Sequence, residues 1–249
     1  MEAFLSLLNE GVLFKFLLLF ARILSFVAFM PVFGHVAINS TIRVAFAFYL
    51  AIFIFPLVTI VTNVNENNFV LCLISEITLG LVASMIINIL FASVRIIGEF
   101  VEYATSLSMA AMFDPTTGTQ EGPIAKLLYW VALVLFFQTG MYEMTLVILV
   151  KSFSMIHLGT FNIFNYNGIM LAIDEIKRMF AFSLAFALPL FFIGMIMDIY
   201  YGYATKSMPS FSPFVITFQL KFGLIFVFLI YAMETFSNAF TEYFVDKLQ

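Results

Sequence analysis

The sequence predicts an all-α membrane protein with about six long hydrophobic helical segments. Of its 249 residues, 63% are hydrophobic and only 10% are charged, and the mean hydropathy is +1.07. Soluble domains carry about 25% charged residues, so this chain has too little polar surface to fold in water. Each of its six apolar stretches is long enough to cross a bilayer as a helix, which takes ~20 residues. They are roughly 12–33, 42–62, 69–97, 124–150, 179–204 and 213–237.

The whole chain, 1–249, is predicted to form one domain, because no polar half divides it. Polar stretches separate the apolar segments at 63–68, 159–177 and 208–213. Basic residues fall equally on the two sides when alternate loops are assigned to opposite faces. Simple multispanning proteins show a bias, so the tie indicates that not every hydrophobic helix is a conventional span.

The third segment is longer than a single span. Residues 69–112 contain no proline, and as one helix they would extend about 65 Å, twice the hydrocarbon core. Small residues at Gly80, Ser84, Gly98 and, further along, Gly194 predict close approach of partner helices.

Polar side chains of this segment fall within about 60° of one another on a helix. They are Ser84, Asn88, Arg95, Glu99, Glu102 and Ser106. Charges are costly in lipid, so we expect this polar stripe to face a water-filled lumen or a partner subunit. Glu102 should then be accessible from water and Phe100 should not. The alternative is that Arg95 and Glu99, at i and i+4, neutralise each other on an interfacial turn.

A polar loop follows the stripe directly and covers residues 109–122. Pro115 disfavours helical geometry at the preceding residue, and two glycines supply a flexible backbone. A long irregular stretch in so apolar a chain indicates contact with water, a partner or a passing substrate. Its methionines are either core filler or a soft seal. The residues of interest are Met109, Met112, Phe113, Asp114, Pro115, Gly118 and Gly122.

No residue pattern indicates an enzyme, a metal site or a cofactor site. His35 and His157 have no ligands at metal-binding spacing, and Cys72 is the only cysteine. Nucleotide-binding and hydrolase motifs do not occur. The net charge of −4 is small and dispersed, which argues against nucleic-acid binding. Carboxylates in or beside apolar runs suggest a proton relay, but their separation favours pairing or interfacial placement. They are Glu76, Glu143, Asp198 and Glu234.

Short motifs follow one another along almost the whole chain. The first comprises Arg22, Pro31-Val32-Phe33-Gly34 and Arg43, and the central one is Phe113-Asp114-Pro115-Thr116-Thr117-Gly118. Others occur at 136–140 and 152–159, and the last comprises Lys206, Pro209, Phe214 and Lys221. In this order they resemble the FliR family of flagellar biosynthesis proteins, with its APVFG, FDPxxG, LFxxNG and SFxxxPLG motifs. Asn39, Met141, His157, Ser210 and Gln219 replace residues usual in that family.

The resemblance implies a non-enzymatic subunit of the flagellar type III protein-export gate. Such a subunit assembles with FliP-like and FliQ-like hydrophobic subunits, and with other export-apparatus proteins, in the bacterial inner membrane at the flagellar basal body. Unfolded flagellar proteins would pass through the channel, and the polar loop would be its plug. The resemblance implies no cofactor. The alternative is a secondary transporter or ion channel that uses Glu76, Glu143 or Asp198, but the chain lacks two hydropathically similar halves.

Overall fold

The computed structural model describes residues 10–33, 38–58, 66–107, 122–161, 168–207 and 214–248. Within these ranges the chain forms seven α-helices and one short 3-10 turn, with no strand. The prediction of an all-α fold is confirmed. The helices are α1 (Glu10–Phe29), α2 (Ser40–Ile54), α3 (Glu66–Thr105), α4 (Pro123–Gln138), α5 (Met141–Met155), α6 (Gly168–Ser207) and α7 (Phe214–Leu248).

Within the described ranges, five helices are long and apolar enough to cross a membrane, namely α1, α2 with its 3-10 extension, α3, α6 and α7. The described helices give a sixth candidate span if α4 and α5 are counted as one span with a break between them. The apolar segment predicted over 124–150 therefore consists of two helices. The break occurs at Gly140, whose φ of 73° lies in the left-handed region that glycine adopts without steric cost.

The exceptional length predicted for the third segment is confirmed by α3. This helix has 40 residues, which corresponds to about 60 Å, although it ends at Thr105 rather than 112. The helix α6 also has 40 residues and contains Pro189, and α7 has 35. Because α6 begins at Gly168, the polar stretch 159–177 is a connection only in its first part.

The chain divides into two compact units that are interleaved in sequence. The first unit comprises Met1–Ile89 and Gly140–Ile173, and the second comprises Leu90–Thr139 and Asp174–Lys247. Both α3 and α6 contribute residues to each unit. The single domain over 1–249 stays a prediction.

Aromatic rings build much of the core of the second unit. Phe91 contacts Tyr129, Phe136 and Phe240, with ring centroids 5.6, 5.7 and 6.1 Å apart respectively. Phe136 also contacts Phe244 at 5.6 Å. The Tyr129 ring is a few per cent exposed, and the other rings are almost completely buried. Such ring pairs add about 0.5–1.5 kcal/mol each beyond the area that they bury, so this cluster holds α3, α4 and α7 together.

Three of the small residues predicted to meet partner helices instead contact helices of their own chain. In the first unit, a side chain at Gly80 would overlap the Arg22 carbonyl and the Ser25 hydroxyl of α1. In the second unit, a side chain at Gly98 would overlap Ala125 of α4, and one at Gly194 would lie 3.0 Å from Ala104. Small residues therefore set the helix spacing inside each unit.

Candidate functional site: the base of the polar loop and a buried ion pair

The central part of the polar loop falls outside the described residues. This applies to Met109, Met112, Phe113, Asp114, Pro115 and Gly118, so their assignment to a plug stays a prediction. The motif residues Gly34 and Pro209 also lie outside the described residues. The structure does describe both ends of the loop, at Leu107 and Gly122.

The first end of the loop is fixed by the way in which α3 terminates. The N–H of Leu107 donates to the Glu102 carbonyl at 3.0 Å, and the N–H of Ser106 donates to the Tyr103 carbonyl at 3.2 Å. This pair of hydrogen bonds is the Schellman motif, which requires a left-handed residue after the helix. Ser106 occupies that position with a φ of 63° and is exposed. The chain therefore leaves α3 abruptly at Ser106.

The second end of the loop is fixed by the Glu102 side chain. One carboxylate oxygen, Oε1, accepts hydrogen bonds from the N–H groups of Ile124 at 2.6 Å and Ala125 at 2.9 Å. Pro123 has no N–H, and the N–H of Lys126 donates to the Gly122 carbonyl at 3.1 Å. The free N–H groups that open every helix are thus satisfied at α4. A carboxylate is also favourable at the positive end of the helix dipole.

Gly122 is required by this arrangement. Any Cβ at position 122 would overlap the carboxyl group of Glu102. Gly122 itself provides no side-chain cap for α4, and Glu102, from a helix earlier in the chain, takes that role. Both ends of the polar loop therefore meet at one residue, Glu102, which is only 3% exposed.

The last four of the six stripe residues, Arg95, Glu99, Glu102 and Ser106, occupy different environments. Glu102 is buried within the second unit while Phe100 is partly exposed, so the expectation that only Glu102 is accessible from water is wrong. The guanidinium of Arg95 lies 4.7 Å from the ring centroid of Tyr129, and it forms no ion pair with Glu99, so the neutralisation alternative is also wrong. Glu99 and Ser106 are exposed, and their contact with a lumen or partner stays a prediction.

Another polar residue of the stripe, Asn88, acts inside the first unit. Its amide nitrogen donates to the carbonyl of Phe29 at the end of α1, and also to the Ser84 carbonyl at 3.2 Å. Asn88 thus caps the last turn of α1, whose carbonyls lack partners within the helix. Some polar side chains of the stripe therefore cap helices of the same chain.

The first unit contains a buried ion pair between Arg22 of α1 and Glu76 of α3. The distance from Nε of Arg22 to a carboxylate oxygen of Glu76 is 2.5 Å, and the two side chains are 2% and 0% exposed. The guanidinium also donates to the carbonyls of Ser152 at 3.2 Å and Ile156 at 3.1 Å, and lies 4.5 Å from the Phe153 ring centroid. Arg22 therefore joins α1 and α3 to the end of α5.

Glu76 completes this network from the other side. Its second oxygen accepts a hydrogen bond from the N–H of Gly159 at 2.8 Å. The turn after α5 is thereby held by both members of the pair. In the sequence, Arg22 is a motif residue and Glu76 is a carboxylate of an apolar segment, and their pairing was not predicted. The sequence feature that could have indicated the pair is that each residue is a single charge within an apolar helix and that the two charges are opposite.

The other motif residues that the structure describes have separate roles. Arg43 donates a hydrogen bond to the Ile38 carbonyl at 3.0 Å. The ring of Phe33, near Pro31, stacks on the ring of Phe46, with centroids 4.7 Å apart. In the second unit, Nζ of the buried Lys221 lies 2.7 and 2.8 Å from the two carboxylate oxygens of Asp198. Lys206 is exposed.

Among the described residues, no group of three His, Cys, Asp or Glu side chains could hold a metal ion.

Comparison with known proteins agrees with this helical membrane architecture. Residues 13–246 match the family of bacterial export proteins, family 1. The chain is similar to the flagellar biosynthetic protein FliR of Bacillus subtilis, with 26% identity over 222 residues, covering 88% of this chain and 86% of that protein. It is also similar to FliR of Aquifex aeolicus, with 27% identity over 243 residues, 95% of this chain and 93% of the relative.

FliR of Caulobacter vibrioides is 24% identical over 236 residues, which cover 93% of each chain. These matches extend over nearly the full length, as the order of the motifs predicted. The architecture and the matched family together define a membrane protein of bacterial protein export. The chain belongs to bacterial export proteins, family 1, the FliR family, and the resemblance stated from the sequence is confirmed.

Proposed function

We propose that this chain is a non-enzymatic subunit of the flagellar type III protein-export gate. It would lie in the bacterial inner membrane at the flagellar basal body and line part of the channel for unfolded flagellar proteins. Its partners would be FliP-like and FliQ-like hydrophobic subunits and other export-apparatus proteins. The match to the bacterial export family over residues 13–246 carries this proposal. The large apolar exposure of the long helices supports it, because such surface needs lipid or partner helices as cover.

Within the gate, we propose that residues 109–122 form the plug, as the resemblance implies. The observation that supports this role is the convergence of both loop ends on Glu102. A segment whose ends are fixed can be displaced without separating the helices that carry it, so opening would cost less free energy than unfolding the unit. The soft side chains of Met109 and Met112 suit a seal around an object of variable shape.

A transporter or channel with a titrating carboxylate is the weaker alternative. Glu76 is fully buried against Arg22, and Asp198 is bound by Lys221. A coupling carboxylate must exchange protons or ions during each cycle, and a fixed cation opposes that exchange. Glu143 is exposed and accepts a hydrogen bond from the Tyr142 hydroxyl at 2.9 Å. No contact of these residues favours an ion pathway over an export gate.

The test is deletion of residues 116–120 in a chain that is co-expressed with FliP-like and FliQ-like subunits. We expect the complex to form at normal levels while cells become permeable to small ions or dyes. A matched control replaces the same five residues with Gly and Ser and keeps the loop length, and it should leak less. Unchanged conductance combined with loss of the complex would make the loop an assembly clamp. A stable isolated monomer that transports an ion in liposomes would refute the gate.

A further inference from the structure

An open pocket in the second unit lies beside the polar loop's base but is separate from it. It has a volume of about 390 Å³ and is lined by Glu99, Phe100 and Tyr103 of α3 and by Phe191 of α6. The rings of Tyr103 and Phe191 are almost parallel, with centroids 6.5 Å apart and an interplanar angle of 14°. Tyr103 is 71% exposed. The pocket therefore presents one carboxylate next to open aromatic surface.

Glu99 is the charged group of this pocket, and the described part of the chain provides no counter-charge for it. No hydrogen bond or ion pair joins Glu99 to another residue in the ranges that the structure describes. The nearest basic residue along the helix, Arg95, directs its guanidinium to the Tyr129 ring instead. Because α3 is long and apolar enough to cross a membrane, a carboxylate left against lipid here would be costly. Among the described residues, the pocket therefore contains no cation.

We propose that this pocket binds a lysine or arginine side chain on a helix of a partner subunit, an inference that rests on the proposed function. Glu99 and Tyr103 are separated by one helical turn and face the same way, so a single cation can meet both. The aromatic faces attract the cation through their quadrupoles. The carboxylate adds a charge-assisted hydrogen bond. A basic side chain satisfies both requirements, whereas a neutral apolar side chain leaves the carboxylate uncompensated.

A partner subunit accounts for the pocket better than a passing substrate does. An exported chain would occupy the pocket only during transport and would leave Glu99 without a counter-charge at rest. The exposed surface of Tyr103, together with that of Phe192 and Met195 on α6, also needs permanent cover. A helix of the resting complex provides both the charge and the cover.

The first test measures assembly of the co-expressed complex with Glu99→Gln and Glu99→Lys. We expect Glu99→Gln to lower the co-purified partner about tenfold, because truncating one member of a desolvated interfacial charge pair has at least that effect on affinity. Glu99→Lys should lower it further. The matched control is Asp174→Asn, which removes an exposed carboxylate that already has a counter-charge in Lys177, 3.3 Å away, and should change nothing.

The second test identifies the occupant by placing a photo-crosslinking amino acid at position 99. We expect an adduct on a partner subunit within one helical turn of a lysine or arginine, and reversal of that residue to glutamate should restore assembly of Glu99→Lys. Adducts confined to exported protein or to lipid would overturn the proposal. Normal assembly of Glu99→Gln would also overturn the proposal, provided that the wild-type chain is stable only with its partners. A wild-type chain that needs no partner would instead refute the proposed function.

Discussion

Arg22→Ala is expected to destabilise the first unit severely. The substitution leaves the Glu76 carboxylate buried, with the Gly159 N–H as the described donor that remains to it. It also removes the guanidinium from the carbonyls of Ser152 and Ile156. Removing one partner of a buried ion pair costs about 3–5 kcal/mol because the other charge stays uncompensated. Whole domains are stable by only about 5–15 kcal/mol, so this loss is a large share of the total.

The matching double variant separates the charge from the packing. Arg22→Met combined with Glu76→Met removes both charges and keeps apolar volume, and such replacements of buried pairs are often neutral or stabilising. We therefore expect it to be more stable than Arg22→Ala. The measurements are thermal unfolding of the purified complex in detergent and the protein level in cells.

A surface ion pair supplies the control. Lys177 lies 3.3 Å from Asp174, and the two side chains are 71% and 62% exposed. Exposed pairs of this kind contribute about 0.2–1 kcal/mol, so Lys177→Ala should have little effect. Equal losses for Lys177→Ala and Arg22→Ala would refute the assignment of Arg22 to a buried pair. A Glu76→Gln variant that keeps its stability but loses ion transport would favour the transporter alternative.

Two further predictions concern the second unit. Glu102→Ala removes the cap of α4 and should lower the free energy of unfolding by about 1–2 kcal/mol. Hydrogen exchange at the amides of Ile124 and Ala125 should become faster. Normal exchange at these amides would mean that Glu102 is not the cap. Gly98→Val should cost about 1–3 kcal/mol in thermal unfolding because its side chain would overlap Ala125. The control Gly202→Ala has nothing within 4 Å of its new methyl group, so equal destabilisation by both would contradict close packing at Gly98.

The helices themselves could be predicted because their signals are local. Composition fixed the class, and the absence of proline between 69 and 105 predicted the unusual length of α3. The break at Gly140 was missed because hydropathy stays high across it, whereas the break depends on one backbone angle. Hydropathy measures which residues avoid water, and it contains no information about where a helix changes direction.

The contacts of the charged residues could not be predicted, because they join distant parts of the chain. Glu76 is 54 residues from Arg22, and Glu102 is 23 residues from Ala125. Helical periodicity places Glu99 and Glu102 on the same side of α3 but does not state what covers that side. Only the packing of α4 against α3 distinguishes the buried carboxylate from the exposed one.

This distinction suggests an order of events for the polar loop. Glu102 finds its donors inside its own chain, so the base of the loop can form before any partner arrives. Glu99 lies one turn earlier, about 4.5 Å along the helix axis, and has no partner among the described residues. A cation bound at Glu99 would therefore contact α3 within one turn of the point that holds both loop ends. Assembly and loop position would then be coupled through the last two turns of a single helix.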